Sequence, residues 1–364
     1  KNDVAVYYSH DSNIMTYFLG EEKMMNEVRD NTPYGRFQHS RRGLMTLLES
    51  LFCQYEFVSQ EQVEKGFLDG GDWSVYRCGK VLEGQPPFKV LFMTHIVAMS
   101  DREVSAVKAF LKRGGKVVCD ILPGAYDELG VPRAKAPFDA KEMTVTGKNF
   151  SDLDADQRTW AVSFLNEAGV TFAIKSPTVV RNLGREGVHY RDGGADLYGV
   201  IRKPYHGSIA ELSDKNVDDL VFARAGHVYD VRAQAYLGHT DRVKSTVPYA
   251  EAQVYAVLSA KIDGIGIAGL PKTVWMFGGA KRGATLSVDL QILSADVSPA
   301  YVLHVDVIPP SGKCPAHFQR NLATKAGKAH FGFPLALNDE TGVWKVRVSE
   351  PLTGVEAEQT FTVR

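Results

Sequence analysis

Two different hydrophobic periods run through this chain, and the change between them limits the folds that it can adopt. Up to about residue 150, apolar runs of strand length alternate with segments whose apolar residues recur every three or four positions. From about Ile262 onward, apolar and polar residues alternate one by one. The first pattern predicts a parallel sheet covered by helices, and the second predicts half-buried antiparallel strands. We therefore expect an α/β part followed by an all-β part.

The α/β part contains four predicted strands separated by helical patterns. The strands are Val4–Ser9, Tyr55–Val58, Lys89–Met93 and Lys116–Asp120. Ser40 is expected to cap one helix, whose apolar face carries Leu44, Leu47, Leu48, Leu51 and Phe52. Ser100 and Glu103 form a capping box that opens another helix, and Gly114 with Gly115 ends it. Right-handed crossovers between these strands predict a flavodoxin-like layered domain, the fold that class I amidotransferases share.

The middle of the chain changes from helix to strand. Residues 121–150 are expected to form a long loop, and residues 151–154 to cap a helix with Leu153, Trp160, Phe164 and Leu165 on its apolar face. Asp192-Gly193-Gly194 between two short strand patterns predicts a β-hairpin. Further strands are predicted at His227–Arg232 and Tyr249–Leu258. This region is expected to form a small antiparallel β domain.

The last hundred residues predict an immunoglobulin-like β-sandwich. Apolar residues alternate with polar ones in several short runs separated by turn residues, which is the pattern of such domains. The runs begin at Leu286, Tyr301, Trp344 and Phe361. The predicted domains are therefore residues 1–168 (flavodoxin-like), 169–260 (small antiparallel β) and 261–364 (sandwich).

Composition excludes several classes of function. The 42 basic and 43 acidic residues nearly balance, which gives no basic surface for nucleic acid. No apolar run approaches the roughly 20 residues that span a bilayer. The four cysteines form no C-x-x-C pair, the histidines follow no zinc-protease spacing, and no phosphate-binding glycine loop occurs. We expect neither a cofactor nor a bound metal. Because the chain begins at Lys1 without a signal peptide pattern, we expect its native N-terminus to lie upstream.

Polar residues follow the predicted parallel strands at the edge where such sheets bind ligands. They are Ser9, His10 and Asp11 after the first strand, Thr94 and His95 after the third, and Asp120 after the fourth. A hydroxyl, an imidazole and a carboxylate together can form a hydrolytic set, but the same residue types also cap helices and hold loops. These six residues are the candidate pocket.

An amidotransferase mechanism lacks its nucleophile here. That chemistry needs a cysteine on a tight strand-to-helix turn, which would lie near His95. The chain has no cysteine there and no flanking glycine. We therefore assign no catalytic residue. Carbohydrate stays a candidate ligand, because Trp73, Trp160, Trp275 and Trp344 are side chains of the type that stacks on sugars, although three of them lie in core-like patterns.

Several segments resemble β-galactosidases of glycoside hydrolase family 42. The first part resembles the middle, trimerisation domain of that family, and later segments resemble the small β domain that follows it. The segments are Val4–Ser9, Lys89–Met93, Met99–Glu103, Phe110–Asp120, Asp192–Gly199 and His227–Arg232. Residues 262–364 resemble an appended sandwich, which the standard family lacks.

The resemblance implies a (β/α)8 catalytic barrel upstream, where two glutamates perform retaining hydrolysis. None of those residues lies in this chain, so the resemblance implies a bacterial homo-oligomer, a trimer in the family, that supports catalysis without performing it. Two alternatives stay open: an independent amidotransferase-like hydrolase or small-ligand sensor that uses the pocket near His10, Thr94 and His95, and a surface scaffold protein. The compartment is unknown, and the sandwich favours a secreted or periplasmic location.

Overall fold

The computed structural model describes residues 2–19, 33–70, 86–150, 155–176, 185–202, 218–247, 251–275 and 284–364. The chain divides into two compact units, one of residues 1–187 and one that covers residues 188–202 and 213–364. The first contains a parallel sheet with helices, and the second contains several β-sheets. The predicted change from α/β to β is therefore confirmed, whereas the three-domain division stays a prediction.

The first unit alternates strands and helices as the sequence pattern predicts. Its elements are β1 (Val4–Tyr8), α1 (His10–Leu19), α2 (Pro33–Ser50), β2 (Tyr55–Ser59), α3 (Gln60–Glu64), β3 (Val90–Met93), α4 (Asp101–Lys112), β4 (Lys116–Cys119), β5 (Thr144–Val145), α5 (Ala155–Glu167) and β6 (Ile174–Lys175). The strands of its sheet are all parallel and lie in the order β2-β1-β3-β4-β5.

Both faces of this sheet are buried, because successive side chains of a strand point to opposite faces. In β1, Ala5 and Tyr7 join one hydrophobic cluster, which includes α4, whereas Val4 and Val6 join a second cluster, which includes α2 and α5. Full burial of each such aliphatic side chain contributes about 1.5–3 kcal/mol. The same division continues through β3 and β4. The near-continuous apolar runs of the sequence follow from this double burial.

Three local predictions for this unit are wrong. Ser40 does not cap a helix, because α2 already begins at Pro33, whose fixed φ suits a first helical turn. His10 and Asp11 do not lie in a loop, since α1 begins directly after Ser9. The expected loop of residues 121–150 contains the short strand β5, which extends the sheet beyond β4. The capping box of Ser100 and Glu103 is confirmed.

The second unit consists of antiparallel sheets. Its strands are β7 (Arg185–Asp192), β8 (Ala195–Arg202), β9 (Asp218–Asp230), β10 (Ala235–Ser245), β11 (Ala252–Leu258), β12 (Ile262–Ala268), β13 (Thr273–Val274), β14 (Ala284–Ser294), β15 (Val302–Ile308), β16 (Gln319–Ala323), β17 (Lys328–Leu335), β18 (Gly342–Glu350) and β19 (Val355–Val363). One sheet has the order β10-β9-β11-β8-β7, a second has β12-β14-β17, and a third has β13-β19-β18-β15-β16.

The alternating residues of the last hundred positions form one hydrophobic core. Inward residues of β14 in one sheet and of β15, β18 and β19 in another belong to the same buried cluster, with Trp344 and Phe361 among its largest members. The predicted hairpin at Asp192-Gly193-Gly194 is present between β7 and β8. Gly193 adopts a φ of +53°, which glycine tolerates without steric cost.

Several sequence predictions fall outside the described residues. They concern Trp73, Cys78, and Leu153 with the cap at 151–154.

Among the described cysteines, Cys53, Cys119 and Cys314 are free thiols, and burial raises the pKa of Cys53 and of Cys119 to about 12. No helix in the described part of the chain has the length and apolar character needed to cross a membrane.

Candidate functional site

The Asp120 carboxylate lies at the centre of the carboxyl edge of the parallel sheet. Directly after β4, it is almost completely buried and accepts hydrogen bonds from three donors. Oδ1 accepts from the backbone N–H groups of His95 (2.6 Å) and Ile121 (2.9 Å), and Oδ2 accepts from the Ser40 hydroxyl (2.5 Å). Asp120 therefore connects α2, the end of β3 and the end of β4.

His95 occupies the turn after β3 in an unusual backbone conformation. Its φ of +52° lies in the left-handed region, which residues with a β-carbon adopt at a steric cost. The turn therefore adopts a left-handed conformation without a flanking glycine. Burial lowers the pKa of His95; the Asp120 carboxylate raises it and the Arg36 charge adds to the lowering. Nδ1 lies 3.9 Å from Oδ2 of Asp120, beyond hydrogen-bond distance.

The structure brings Thr94, His95 and Asp120 to this edge but gives the other candidates different roles. The Ser9 hydroxyl oxygen accepts from the Ser12 amide at 3.0 Å, as an N-cap of α1 does. His10 is exposed in the first turn of α1. Asp11 accepts a hydrogen bond of 2.8 Å from the Gln60 side chain. Ser9 therefore caps α1, and Asp11 connects α1 to α3.

Sequence reasoning assigned Ser40 to a helix cap and missed its contact with Asp120. The available signal for a buried role was the spacing of Ser40, which places it on the apolar face of α2 beside Phe37 and Leu44. The Ser40 hydroxyl oxygen also accepts from the Phe150 amide at 3.3 Å. Both its donor and its acceptor capacity are used inside the protein.

This arrangement lacks the order that hydrolytic triads require. In such triads the imidazole lies between the hydroxyl and the carboxylate and takes the hydroxyl proton. Here Asp120 lies between Ser40 and His95, and Ser40 is fully buried. The turn at His95 is also not followed at once by a helix, because α4 begins only at Asp101. The N-terminus of α4, the next helix along the chain, is therefore not positioned at His95, where it could stabilise an anionic nucleophile.

Two buried polar atoms at this edge have no hydrogen-bond partner among the described residues. They are the hydroxyl oxygen of Thr94 and Nδ1 of His95. Buried polar atoms are nearly always hydrogen-bonded, and leaving one unpaired costs about 1–3 kcal/mol. A water molecule or a polar ligand group next to each atom would provide the missing partner.

Exposed apolar side chains lie on α1 and on a nearby turn. Phe18 is 70% exposed and Leu129 is 83% exposed, and Ile14 and Val131 are also exposed. The turn of residues 127–131 is rigid, because Oδ1 of Asp127 accepts from the backbone N–H groups of Leu129 (2.9 Å) and Val131 (2.8 Å). We call Ile14, Phe18, Leu129 and Val131 the apolar surface.

The turn packs on α1 through a close contact. A β-carbon at Gly130 would lie 3.0 Å from the Met15 sulfur atom. Gly130 also has a φ of +80°, which favours glycine. The two parts of the apolar surface are therefore held next to each other.

A second buried carboxylate lies in the β part. Asp196 of β8 is fully buried, and it accepts from Nε2 of His189 (2.7 Å), from Nε of Arg191 (2.6 Å) and from the Arg224 guanidinium. Burial alone would raise the pKa of Asp196, but hydrogen bonds from His189, Arg191 and Arg224 outweigh it and hold that pKa well below its usual range. The Tyr198 ring stacks on His189 at 4.6 Å. Sequence reasoning missed this network.

The tryptophans form no continuous platform in the described part of the chain. Trp344 is buried in the β core and Trp160 packs in the second cluster of the first unit. Trp275 is 67% exposed, but the Arg364 guanidinium lies 5.4 Å from its ring centre. Among the described residues, no three metal-ligating side chains gather at one place.

Neither family models nor curated proteins match this chain. Solved structures similar to it include an exo-carrageenase of family GH42 from Bacteroides ovatus, with 12% identity, a TM-score of 0.41, and coverage of 71% of this chain and 29% of that one. A β-galactosidase from Bacillus circulans sp. alkalophilus has 12% identity, a TM-score of 0.45, and coverage of 70% and 41%. An α2-macroglobulin from Escherichia coli has 17% identity, a TM-score of 0.23, and coverage of 47% and 15%.

This chain therefore spans well under half of each of these proteins. With TM-scores below 0.5, the similarities assign neither a family nor an activity to it.

Proposed function

We propose that this chain is a non-catalytic oligomerisation and support region of a glycoside hydrolase, whose catalytic barrel lies outside the residues described above. The observation that carries the proposal is the exposed apolar surface on α1 and the 127–131 turn. Monomeric proteins rarely present such side chains together on a rigid support unless another surface covers them. The occupant that we propose is a second copy of this chain, in a homo-oligomer such as a trimer.

The finer description of the folds belongs to the same proposal. A parallel sheet with the order β2-β1-β3-β4-β5 is the flavodoxin-like order, which supports a flavodoxin-like or amidotransferase-like first domain. Two antiparallel sheets that share one core support an immunoglobulin-like sandwich at the end of the chain.

The arrangement of Ser40, His95 and Asp120 at the carboxyl edge of the parallel sheet supports a non-catalytic first unit. Ser40 is buried and donates to the Asp120 carboxylate, and the His95 imidazole does not lie between that hydroxyl and that carboxylate. The segment Phe110–Asp120, which carries much of the family resemblance, forms the end of α4, the two-glycine turn and β4. We propose that this edge has a structural role.

The first experiment measures the molar mass of the chain by light scattering, together with hydrolysis of a chromogenic galactoside by the same sample. We expect an inactive oligomer of defined mass. Replacing Phe18 and Leu129 together by aspartate places charges on the apolar surface and should give a monomer, because burial of unpaired charge in an interface is strongly unfavourable. A wild-type monomer, or an oligomer unaffected by these substitutions, contradicts the proposal.

A matched control keeps the number and type of substitutions. Leu337 and Val343 are 45% and 60% exposed on the β part, away from α1 in the sequence. Replacing both by aspartate should leave the molar mass unchanged. Circular dichroism of all three proteins checks that each is folded.

A second candidate function is a small-ligand sensor at the carboxyl edge of the sheet. The unpaired polar atoms of Thr94 and His95 favour it, since they are buried and directed toward no described partner. Galactoside turnover by the wild-type chain that disappears in His95→Asn would support a catalytic version of this candidate and would contradict the non-catalytic proposal. Asparagine is suitable because it tolerates a positive φ.

A further inference from the structure

A groove of about 960 Å³ lies at the edge of the parallel sheet opposite to Asp120. It is lined by the beginnings of β4 and β5 and by the last turns of α4 and α5. Its volume falls at the upper end of the range that small-molecule sites occupy, roughly 300–1,000 Å³. This groove includes neither the apolar surface nor the residues of the carboxyl edge, so the roles proposed above for those two places do not explain it.

Four lysines line this groove. Lys108 and Lys112 belong to α4, Lys116 begins β4, and Lys141 precedes β5. All four are exposed. None of them forms an ion pair with a carboxylate among the residues that the structure describes. Lys108 and Lys112 lie one helical turn apart, where like charges are destabilising.

Two acidic residues also line the groove, but they do not neutralise it. Glu142 accepts a hydrogen bond of 3.1 Å from the backbone N–H of Asp139 and so serves as part of a capping box. Glu167 lies at the end of α5. Four ammonium groups against two carboxylates leave the lining with a positive charge.

Several carbonyl groups at the ends of both helices already accept backbone hydrogen bonds. After α4, the backbone N–H groups of Gly114 and Gly115 donate to the carbonyl oxygens of Leu111 (3.0 Å) and Phe110 (3.0 Å). After α5, the N–H of Val170 donates to the carbonyl of Leu165 at 2.9 Å. The lysine ammonium groups are therefore not needed to cap these helices.

Apolar side chains also line the groove. Val117, Met143 and Phe164 line it. A β-carbon at Gly115 would overlap the ring of Phe110, so a residue with a side chain does not fit at this position. A groove lined by both apolar side chains and several ammonium groups suits a ligand with a carbon skeleton and several anionic groups.

We propose that this groove binds a small molecule carrying two or more phosphate or sulfate groups. The four lysines provide the cationic donors, and each ammonium group can donate to an oxyanion from several directions. Val117, Met143 and Phe164 contact the carbon skeleton between the anionic groups. Binding of such an anion relieves the repulsion between Lys108 and Lys112. This site is independent of the oligomerisation proposed above.

The experiment titrates the full chain with three probes in a calorimeter: fructose 1,6-bisphosphate, a disulfated disaccharide and neutral lactose. We expect binding of at least one anionic probe, no binding of lactose, and weaker binding at higher salt because the contacts are electrostatic. Preference for the bisphosphate identifies phosphate as the natural group, and preference for the disulfated probe identifies sulfate. The proposal is overturned if neither anion binds at millimolar concentration or if lactose binds equally well.

The paired variants place the ligand in this groove. Replacing Lys112 and Lys116 by glutamine should weaken binding at least about tenfold, since the anionic ligand loses two charged hydrogen-bond donors. Replacing the exposed Lys135 and Lys148, which do not line the groove, removes the same charge and should leave the affinity unchanged. Equal losses in both variants would mean non-specific attraction and would overturn the proposal. All substituted lysines are exposed, so both variants should fold.

Discussion

The Ser40 hydroxyl donates a 2.5 Å hydrogen bond to Oδ2 of Asp120 and so connects the middle of α2 to the end of β4. Both residues are almost completely buried. The carboxylate therefore depends on Ser40 and on two backbone N–H groups for the solvation that water would otherwise give it.

Replacing Ser40 by alanine should lower the free energy of unfolding by about 1–3 kcal/mol, because Oδ2 of Asp120 loses a donor in a buried site. Unfolding in urea, followed by circular dichroism, measures the change. Ser105→Ala is the control: Ser105 donates to the Asp101 carbonyl within α4 but is exposed, so its loss should cost less than about 0.5 kcal/mol. If both substitutions lower the free energy of unfolding equally, the hydrogen bond to Asp120 adds no stability beyond that of an exposed serine hydrogen bond.

Lowering the pH should destabilise the first unit through His95. Burial lowers the pKa of His95 in the folded protein, so the unfolded chain binds the proton more readily. Stability is therefore fully present above the unfolded pKa of about 6.5 and declines as the pH falls below it. His95→Asn should reduce this decline between pH 7 and pH 5, measured by urea unfolding at each pH. The same substitution at the exposed His10 serves as the control. The prediction is refuted if the free energy of unfolding of His95→Asn depends on pH as steeply as that of the wild-type chain.

Asp196→Asn should destabilise the second unit by about 3 kcal/mol or more, because the guanidinium groups of Arg191 and Arg224 lose the buried carboxylate that accepts their hydrogen bonds. Since these donors hold the pKa of Asp196 below its usual range, its contribution is present above the unfolded pKa of about 3.9 and is lost as the pH falls through the folded value. Thermal and urea unfolding at pH 7 test the substitution.

The matched control for Asp196 is Asp289→Asn. Asp289 accepts from His330 at 2.9 Å, but both side chains are largely exposed. Exposed ion pairs contribute only about 0–1 kcal/mol. If the two variants lose similar stability, burial is not the reason for the strength of the Asp196 network.

Gly115→Ala should destabilise the first unit by about 1–3 kcal/mol, because the added β-carbon would overlap the Phe110 ring in a packed core. Urea unfolding measures the loss. The control is Gly114→Asn at the preceding position, which has open space and a φ of +95°. Asparagine tolerates left-handed conformations, so the control should cost less. A smaller effect at Gly115 than at Gly114 would contradict the packing argument.

The sequence predicted the elements whose signals are local. The capping box at Ser100, the two-glycine turn and the alternation along β14 and β15 need only neighbouring residues to be recognised. Failures occurred where a residue acts through a distant partner. Ser40 and Asp120 are 80 positions apart, and no hydrophobic periodicity in the sequence predicts their contact.

The sequence by itself determined the change from α/β to β, most of the strands and many of the buried hydrophobic side chains, because hydrophobic burial imposes a period on each element. Only the tertiary structure decided the rest. It placed Asp120 between Ser40 and His95, gathered His189, Arg191 and Arg224 around Asp196, and left Phe18 and Leu129 exposed. These relationships depend on which elements become neighbours, and that choice is made by packing of the whole core.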